Sequence, residues 1–454
     1  MSKVADQLEA IAHESMSRCT TCGDCYEACP TARETGLPPG AGKSVIRALM
    51  GVTKGEDGHE QARRWVEACN ASGNCTAVCP ENINVRQWVS IARLKNLESK
   101  RPHEERAANA AMRFRTMAQA VRLLASMQIP SETLKRIRRP VETRNAEVIF
   151  YTGCNVLRTP HIVFCVMDVL DVLGIDYDVA GGASHCCGVY QFLDGDLDTY
   201  ERVGGRTFQR FAESRATQVL TWCPSCQKQF GEVEAARTPP PFRLDHVSEY
   251  LAANLDELRP HFVPQPPRRA VLHFHDGLPG NVDAIKALLR AIPGMDLIEV
   301  AQDSAFSYMC YNAMASYRTR EEGRDRALLD AAAALGVDTV VTMYHSCQRN
   351  LGGAEAHYPF EVRNFTELLA EAVGRGGHPD NFKRFKSGRD LDHAIVAARD
   401  YLQQNGVRVG REQLEALGVM MFAEPGLVGD KSRTIHRLIS LADDDLQGEV
   451  TLKD

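Results

Sequence analysis

The placing of its cysteines constrains this chain more than any run of apolar residues does. Seven lie between Cys19 and Cys79 and six between Cys154 and Cys226, out of fifteen in 454 residues. An odd total is a poor basis for a disulfide framework. The Met-Ser-Lys start leads into a polar, amphipathic stretch and not into an apolar signal region. The thiols are therefore expected on metal in a reducing cytoplasm.

The first run, Cys19-x2-Cys22-x2-Cys25-x3-Cys29-Pro30, has the ferredoxin spacing, in which three cysteines hold one cubane and the fourth turns away to a second cluster. Its partner, Cys69-Asn-Ala-Ser72-Gly-Asn-Cys75-x3-Cys79-Pro80, puts Ser72 where the second cysteine belongs. Under the cross-over rule a 4Fe-4S cubane cluster takes Cys19, Cys22, Cys25 and Cys79, and a second cluster takes Cys69, Cys75 and Cys29. The Cys-x5-Cys-x3-Cys-Pro form resembles the succinate dehydrogenase iron–sulfur subunit, which implies a 3Fe-4S cluster. A 4Fe-4S cluster completed by the Ser72 oxygen, a nearby asparagine or water is the alternative, and loss of the site a third outcome. Gly40-Ala-Gly42-Lys43-Ser44 imitates the end of a phosphate loop, but Leu37 stands where that loop needs glycine. A turn leading into a helix is the better reading.

The second set is Cys154, Cys186-Cys187-Gly188 and Cys223-Pro-Ser-Cys226. Five thiols are more than one ordinary iron or zinc site uses, with zinc or buried structural thiols as the alternatives. The spacing resembles the cysteine-rich domain of the catalytic B-type subunits of heterodisulfide reductases. That resemblance implies a non-cubane 4Fe-4S cluster on Cys154, Cys186, Cys187, Cys223 and Cys226. Residues 1 to about 100 resemble the C-type subunit, so residues 10 to about 370 look like a fused C-type and B-type, D-like subunit. The cysteine-rich domain is also similar to the iron–sulfur subunits of glycolate and lactate oxidases.

From Glu147 the hydrophobic period changes. Strands at Val148 to Tyr151, Ile175 to Val179 and Gln218 to Trp222 alternate with helical stretches, which predicts a parallel sheet with ligands gathered at the strand ends. Cys165 falls on the apolar side of a helix and reads as core. The pattern recurs after Pro239–Pro241 and Pro264–Pro267, with strands at Val271 to Phe274, Met295 to Val300 and Thr339 to Met343. Aligning the copies sets Leu278 against Cys154, Cys310 against Cys186, Tyr311 against Cys187, Asn312 against Gly188, and Tyr344 with Cys347 against Cys223 with Cys226. The second copy is therefore expected to be structural, its site empty or altered. The alternative is a small cluster or mononuclear metal on Cys310 and Cys347 with His275 or His345. His273, His275 and Asp276 lie on the strand-end segment, and hydrogen-bonded structural roles are expected for such histidines.

The fold class is thus α/β: an N-terminal α-helical ferredoxin domain followed by two pseudo-repeated α/β cysteine-rich domains with parallel sheets. The expected units are residues 1–100, a basic helical connector at 101–145, the cysteine-rich domain with the intact motif at 146–245, the degenerate one at 268–375, and a helical extension at 380–454. The connector reads as a solvated helix face, with docking to an acidic partner or membrane surface as the alternative. The extension reads as a cap on the core or a docking element.

A net charge of −6 gives no footprint for nucleic acid, and no run has the length to span a bilayer. Three iron–sulfur sites without a flavin or nucleotide motif imply that electrons pass through and that a two-electron partner lies elsewhere. The first functional expectation is an electron-transfer subunit of a larger oxidoreductase. A flavoprotein dehydrogenase or electron-transfer flavoprotein would stand on one side and a quinone or membrane subunit on the other, and any attachment to the inner membrane is expected to come through a partner. The second is a thiol or disulfide reductase that binds its sulfur substrate at the non-cubane cluster. A redox sensor is a weaker third.

Overall fold

A computed structural model describes residues 3–34, 38–140, 145–275, 277–302, 315–422 and 431–442. The chain begins as helices. Lys3–Arg18, Gly42–Thr53, Glu60–Ala68 and Val85–Lys100 carry apolar residues three and four apart, so each has a stripe to bury. Val4, Leu8, Ile46, Leu49, Trp65, Trp88 and Val89 meet in one core. The Trp88 indole N–H is satisfied inside it by Thr53 Oγ1 at 2.9 Å. Two one-turn helices, Asp24–Glu27 and Asn74–Ala77, follow the two cysteine loops.

The middle of the chain forms two parallel sheets. The first holds β1 (Val148–Gly153), β2 (Tyr177–Gly181), β3 (Gln218–Thr221) and β4 (Arg243–His246) in the order β2-β1-β3-β4. The second holds β5 (Arg268–His273), β6 (Met295–Ile298), β7 (Thr339–Thr342) and β8 (Glu361–Asn364) in the order β6-β5-β7-β8. β1, β3 and β7 are buried along their whole length, as strands covered on both faces must be.

Two features differ from the sequence reading. Each sheet has a fourth strand, charged and only partly buried, which hydropathy does not mark because its composition reads as loop. The repeat also aligns differently at its first strand. Tyr151 pairs with Thr221 and His273 pairs with Thr342, so His273 is the counterpart of Tyr151, and His275 of Gly153. Leu278 is therefore not the partner of Cys154. The residue that is, Asp276, lies outside the described residues, as do Cys310, Tyr311 and Asn312.

The halves pack reciprocally. Helix His161–Val172, after β1, lies on Phe365–Ala372, after β8; helix Val247–Ala253, after β4, lies on Asn281–Ala291, after β5. This is the self-complementary arrangement of a two-fold dimer, made within one chain. Trp222 stacks on Phe365 across it, centroids 5.7 Å apart and planes 15° from parallel.

The basic connector exposes Arg115, Lys135 and Arg138 to solvent and also makes ion pairs. Helix His103–Ser126 gives Arg113 to Asp194 at 2.6 Å, and Ser131–Arg138 leads Arg136 and Arg139 to the buried Asp178. Its other side buries Ala120, Leu124 and Met127 against Leu391–Gln404, Arg411–Phe422 and Lys431–Ile439, which form a C-terminal helical cap. No helix among the described residues is long and apolar enough to cross a membrane.

Candidate iron–sulfur centres

The two N-terminal cysteine loops have the same backbone. Thr21 (φ 57°) and Gly23 (φ 93°) in the first answer to Ala71 (φ 59°) and Gly73 (φ 91°) in the second. Thr21 N–H and Ala71 N–H each point at the preceding cysteine sulfur, Cys19 or Cys69, at 3.4 Å. The loop that carries Ser72 thus keeps the ferredoxin turn, and Ser72 occupies the place of Cys22. Gly42, part of the false phosphate loop, has another purpose: a Cβ there would stand 2.6 Å from the Gly23 carbonyl oxygen. It lets a helix start against the first loop.

The seven thiols fall into two groups. Burial pushes the Cys25 thiol up to about 12, and the charges of Cys19, Cys22 and Cys79 add to it. Burial likewise raises Cys69 and Cys75; the next contribution to Cys69 comes from Cys29, and to Cys75 from Cys69 and then Cys29. Cys29 therefore sits with the second loop, and Cys79 with the first. Cys29 Sγ receives the Trp65 indole N–H at 3.1 Å and lies 2.9 Å from Thr31 Oγ1. Sequence reasoning missed both neighbours, although Trp65 is one of only three tryptophans.

The other five thiols converge where β1, β2 and β3 end, all between 1% and 7% exposed. Gly153, at the end of β1, has φ 71°, and a Cβ on it would lie 3.1 Å from Cys226 Sγ and 3.2 Å from Cys223 Cβ. Gly188 has φ 76° and would drive a Cβ to 2.7 Å from the Tyr200 ring, which explains the glycine after the cysteine pair. Its N–H points at Cys186 Sγ at 3.4 Å. Cys223 caps the helix Pro224–Gln229, and His246 holds that turn by bonding the Trp222 carbonyl at 2.8 Å. Burial pulls His246 down to about 4, so the ring is neutral.

The five side chains contact one another in series. Cys154 meets Cys186, Cys186 meets Cys187, Cys187 meets Cys226, and Cys226 meets Cys223. Hydrogen bonds from Cys186 and Cys226 bring Cys187 down to about 6, and one from Cys226 brings Cys223 to about 7. Tyr151 closes the floor, its OH donating to the His185 carbonyl at 2.5 Å and lying 3.9 Å from Cys226 Sγ. Cys165 is elsewhere, in the main core.

A crevice of about 30 Å³ joins the two regions. Cys69, Ala71 and Arg93 line one side, and Val189, Phe192, Lys228 and Gln229 line the other. Arg86 clamps the same junction from helix Val85–Lys100. It donates to Glu232 Oε1 (Nε at 2.9 Å), to the Ala71 carbonyl at 3.3 Å and to the Gly277 carbonyl at 2.5 Å.

The 4Fe-4S dicluster domain family matches residues 15–83, and the Cysteine-rich domain family matches residues 148–231. The D-type subunit of the dihydromethanophenazine:CoB–CoM heterodisulfide reductase of Methanosarcina mazei is 24% identical over 405 residues, 81% of this chain and 96% of that one. Its equivalent in Methanosarcina barkeri is 23% identical over 417 residues, with the same coverage. The chain is homologous to the D-type subunits of heterodisulfide reductases. It is also related to the B-type subunit of the fumarate reductase (CoM/CoB) of Methanothermobacter marburgensis, 23% identical over 367 residues, 77% of this chain and 71% of that one. The dicluster match and these relatives mark the chain as an iron–sulfur protein, which implies electron transfer.

The residues present fit thiolate-bound iron. Every cysteine among the described residues is free of disulfides. The sulfurs come in sets, backbone N–H groups point at three of them, and a metal bound there would displace the thiol protons and take the thiolates as ligands. Gly153→Ala is expected to remove the metal of the cysteine-rich site while leaving the N-terminal centres, because the methyl enters the space beside Cys226 at a φ that disfavours it. Iron content after anaerobic purification reads this directly.

Proposed function

We propose that this chain is the iron–sulfur subunit of a multi-subunit oxidoreductase. It passes electrons between a flavoprotein dehydrogenase or electron-transfer flavoprotein and a quinone or membrane partner, working at the cytoplasmic face. The crevice that carries Cys69 on one wall and the flanks of the Cys187 and Cys226 turns on the other supports this reading best. It makes the N-terminal domain and the cysteine-rich domain neighbours at their metal-binding ends.

In this reading Cys19, Cys22, Cys25 and Cys79 hold a 4Fe-4S cubane cluster. Cys29, Cys69 and Cys75 hold a 3Fe-4S cluster, with Ser72 at the open corner, and the five thiols from Cys154 to Cys226 hold a non-cubane 4Fe-4S cluster. Such clusters supply reversible one-electron sites whose potentials follow hydrogen bonding and burial. The protein supplies the surroundings. Trp65 and Thr31 donate toward Cys29, Arg86 brings positive charge to Cys75, and Arg93 and Lys228 bring it to Cys69. Positive charge and N–H donors favour the more negative, reduced state, so the second centre is built to accept an electron.

Ser72→Cys tests the ligand assignment. Purified anaerobically, the variant is expected to gain about one iron per chain and to replace a three-iron paramagnetic signal with a four-iron one. A wild-type protein that already has four irons there moves the assignment to a cluster completed by Ser72 or water.

The names of the M. mazei and M. barkeri relatives favour a second reading, in which a thiol or disulfide substrate meets the cysteine-rich site directly. Asn155, with Nδ2 at 3.8 Å from Cys154 Sγ, and the half-buried Tyr190 stand at the edge such a substrate would approach. Titrating the anaerobic protein first with a reduced flavoprotein and then with a thiol separates the two. Electron transfer requires that the N-terminal signals respond to the first addition. A changed signal at the cysteine-rich site on the second addition supports thiol chemistry.

A further inference from the structure

The second parallel sheet ends in a buried group of metal-binding side chains that the cluster assignments leave unused. His273 closes β5, His275 follows two residues later, and the turn after β7 leads into helix His345–Leu351, which carries Cys347. One ligand atom from each of His273, His275 and Cys347 lies within 4.8 Å of the other two. Their exposures are 1%, 0% and 0%.

The strand register explains why this copy differs from the first. His275 takes the place of Gly153, the residue whose missing side chain leaves room beside Cys226. His273 takes the place of Tyr151, and Cys347 that of Cys226. An imidazole thus fills the space that the first copy keeps for sulfur and iron. Tyr344, in the place of Cys223, turns its hydroxyl to Asn281 at 3.1 Å. Among the described residues one thiolate remains there, too few for a multi-iron cluster, but the donors for one ion are present.

We propose that the second cysteine-rich domain holds a single zinc ion on His273, His275 and Cys347. Two imidazoles and a thiolate are a set that zinc accepts readily. His273 Nε2 lies 3.0 Å from Asp325 Oδ1, the carboxylate–histidine pairing that orients metal-ligating imidazoles. Asp325 is itself buried. Zinc with one thiolate keeps one positive charge, and the Asp325 carboxylate, which also meets Arg324 at 3.4 Å, offsets part of it. The His275 backbone N–H donates to Met343 Sδ at 3.1 Å, which fixes the end of the strand. His345, the other candidate from the sequence, is not part of the group. Burial and then Arg349 pull it down to about 3, at the interface between the halves. Zinc does no redox chemistry, so this half stands outside the electron path and ties β5 to the helix after β7 as the cluster ties their counterparts in the first half.

The test uses the full-length protein, purified anaerobically with its iron in place, given one equivalent of zinc and desalted. Metal analysis is expected to find about one zinc per chain in addition to the iron. Zinc K-edge X-ray absorption is expected to fit one sulfur near about 2.3 Å and two nitrogens near about 2.0–2.1 Å. Cys347→Ser and His275→Ala should each lose the zinc with iron unchanged, and Asp325→Asn should weaken zinc binding by about 10–100-fold. The wild-type absorption spectrum needs no variant to fold. No retained zinc, a shell of four sulfurs, or undiminished zinc in Cys347→Ser would each overturn the proposal.

Discussion

Cys187→Ser protein purified without oxygen is expected to lose about four of about eleven irons per chain, and with them the paramagnetic signal of the cysteine-rich site. Cys187 is the thiol that meets both Cys186 and Cys226, so it joins the pair from the β2 turn to the turn after β3. Serine keeps the shape but offers a harder oxygen donor with a far higher pKa, which a soft iron–sulfur group binds poorly. The N-terminal centres sit in a separate helical core and should keep their signals unchanged. Iron counting with electron paramagnetic resonance decides the matter, and an unaltered spectrum would refute the assignment.

Arg86→Ala is expected to cost about 3 kcal/mol, the lower end for breaking a buried ion pair, because Lys228 still faces Glu232 at 3.4 Å. Burial opposes ionisation of Glu232, but Lys228 and Arg86 more than offset it and hold its carboxyl below the usual range. A depressed carboxylate pKa means that the clamp contributes fully above the unfolded value and fades only as pH falls through the folded one. Losing Arg86 also frees the Ala71 and Gly277 carbonyls, which belong to the second cysteine loop and to the far half of the chain. The expected results are faster proteolytic cutting between the helical domain and the first sheet, and slower reduction of the cysteine-rich centre from the N-terminal side. Arg86→Lys should recover only part of both, since an ammonium lacks the fork that reaches three partners. A variant as protease-resistant as the parent would show that the apolar contacts alone hold the junction.

The thiol spacings were legible in the sequence because they are local: Cys223 and Cys226 open one helix, and Cys19 to Cys29 share one loop and the one-turn helix after it. The repeat was legible because buried parallel strands such as Val148–Gly153 and Thr339–Thr342 are written as unbroken apolar runs. The fourth strands were not, since edge strands rich in charge imitate loops. Their one local sign is the capping signature that follows, His246 with Glu249 and Asn364 with Glu367. The shift in repeat register was hidden for the same reason that it matters, since it replaces a glycine with a histidine and leaves no sequence likeness to align on. Arg86 and Glu232 are 146 residues apart, and only the fold makes them neighbours. The connector's charge was legible as a solvated face, with Arg113, Arg115, Lys135 and Arg138 exposed; what stayed hidden is that Arg136 and Arg139 also reach Asp178.

The reciprocal packing of helix His161–Val172 on Phe365–Ala372, and of Val247–Ala253 on Asn281–Ala291, has one more outcome. A duplicated polypeptide that grips its own twin has its companion at fixed stoichiometry and in a fixed pose. The twin can then change its catalytic inventory without ever being discarded, because its first duty is to cover an oily surface that would otherwise meet water.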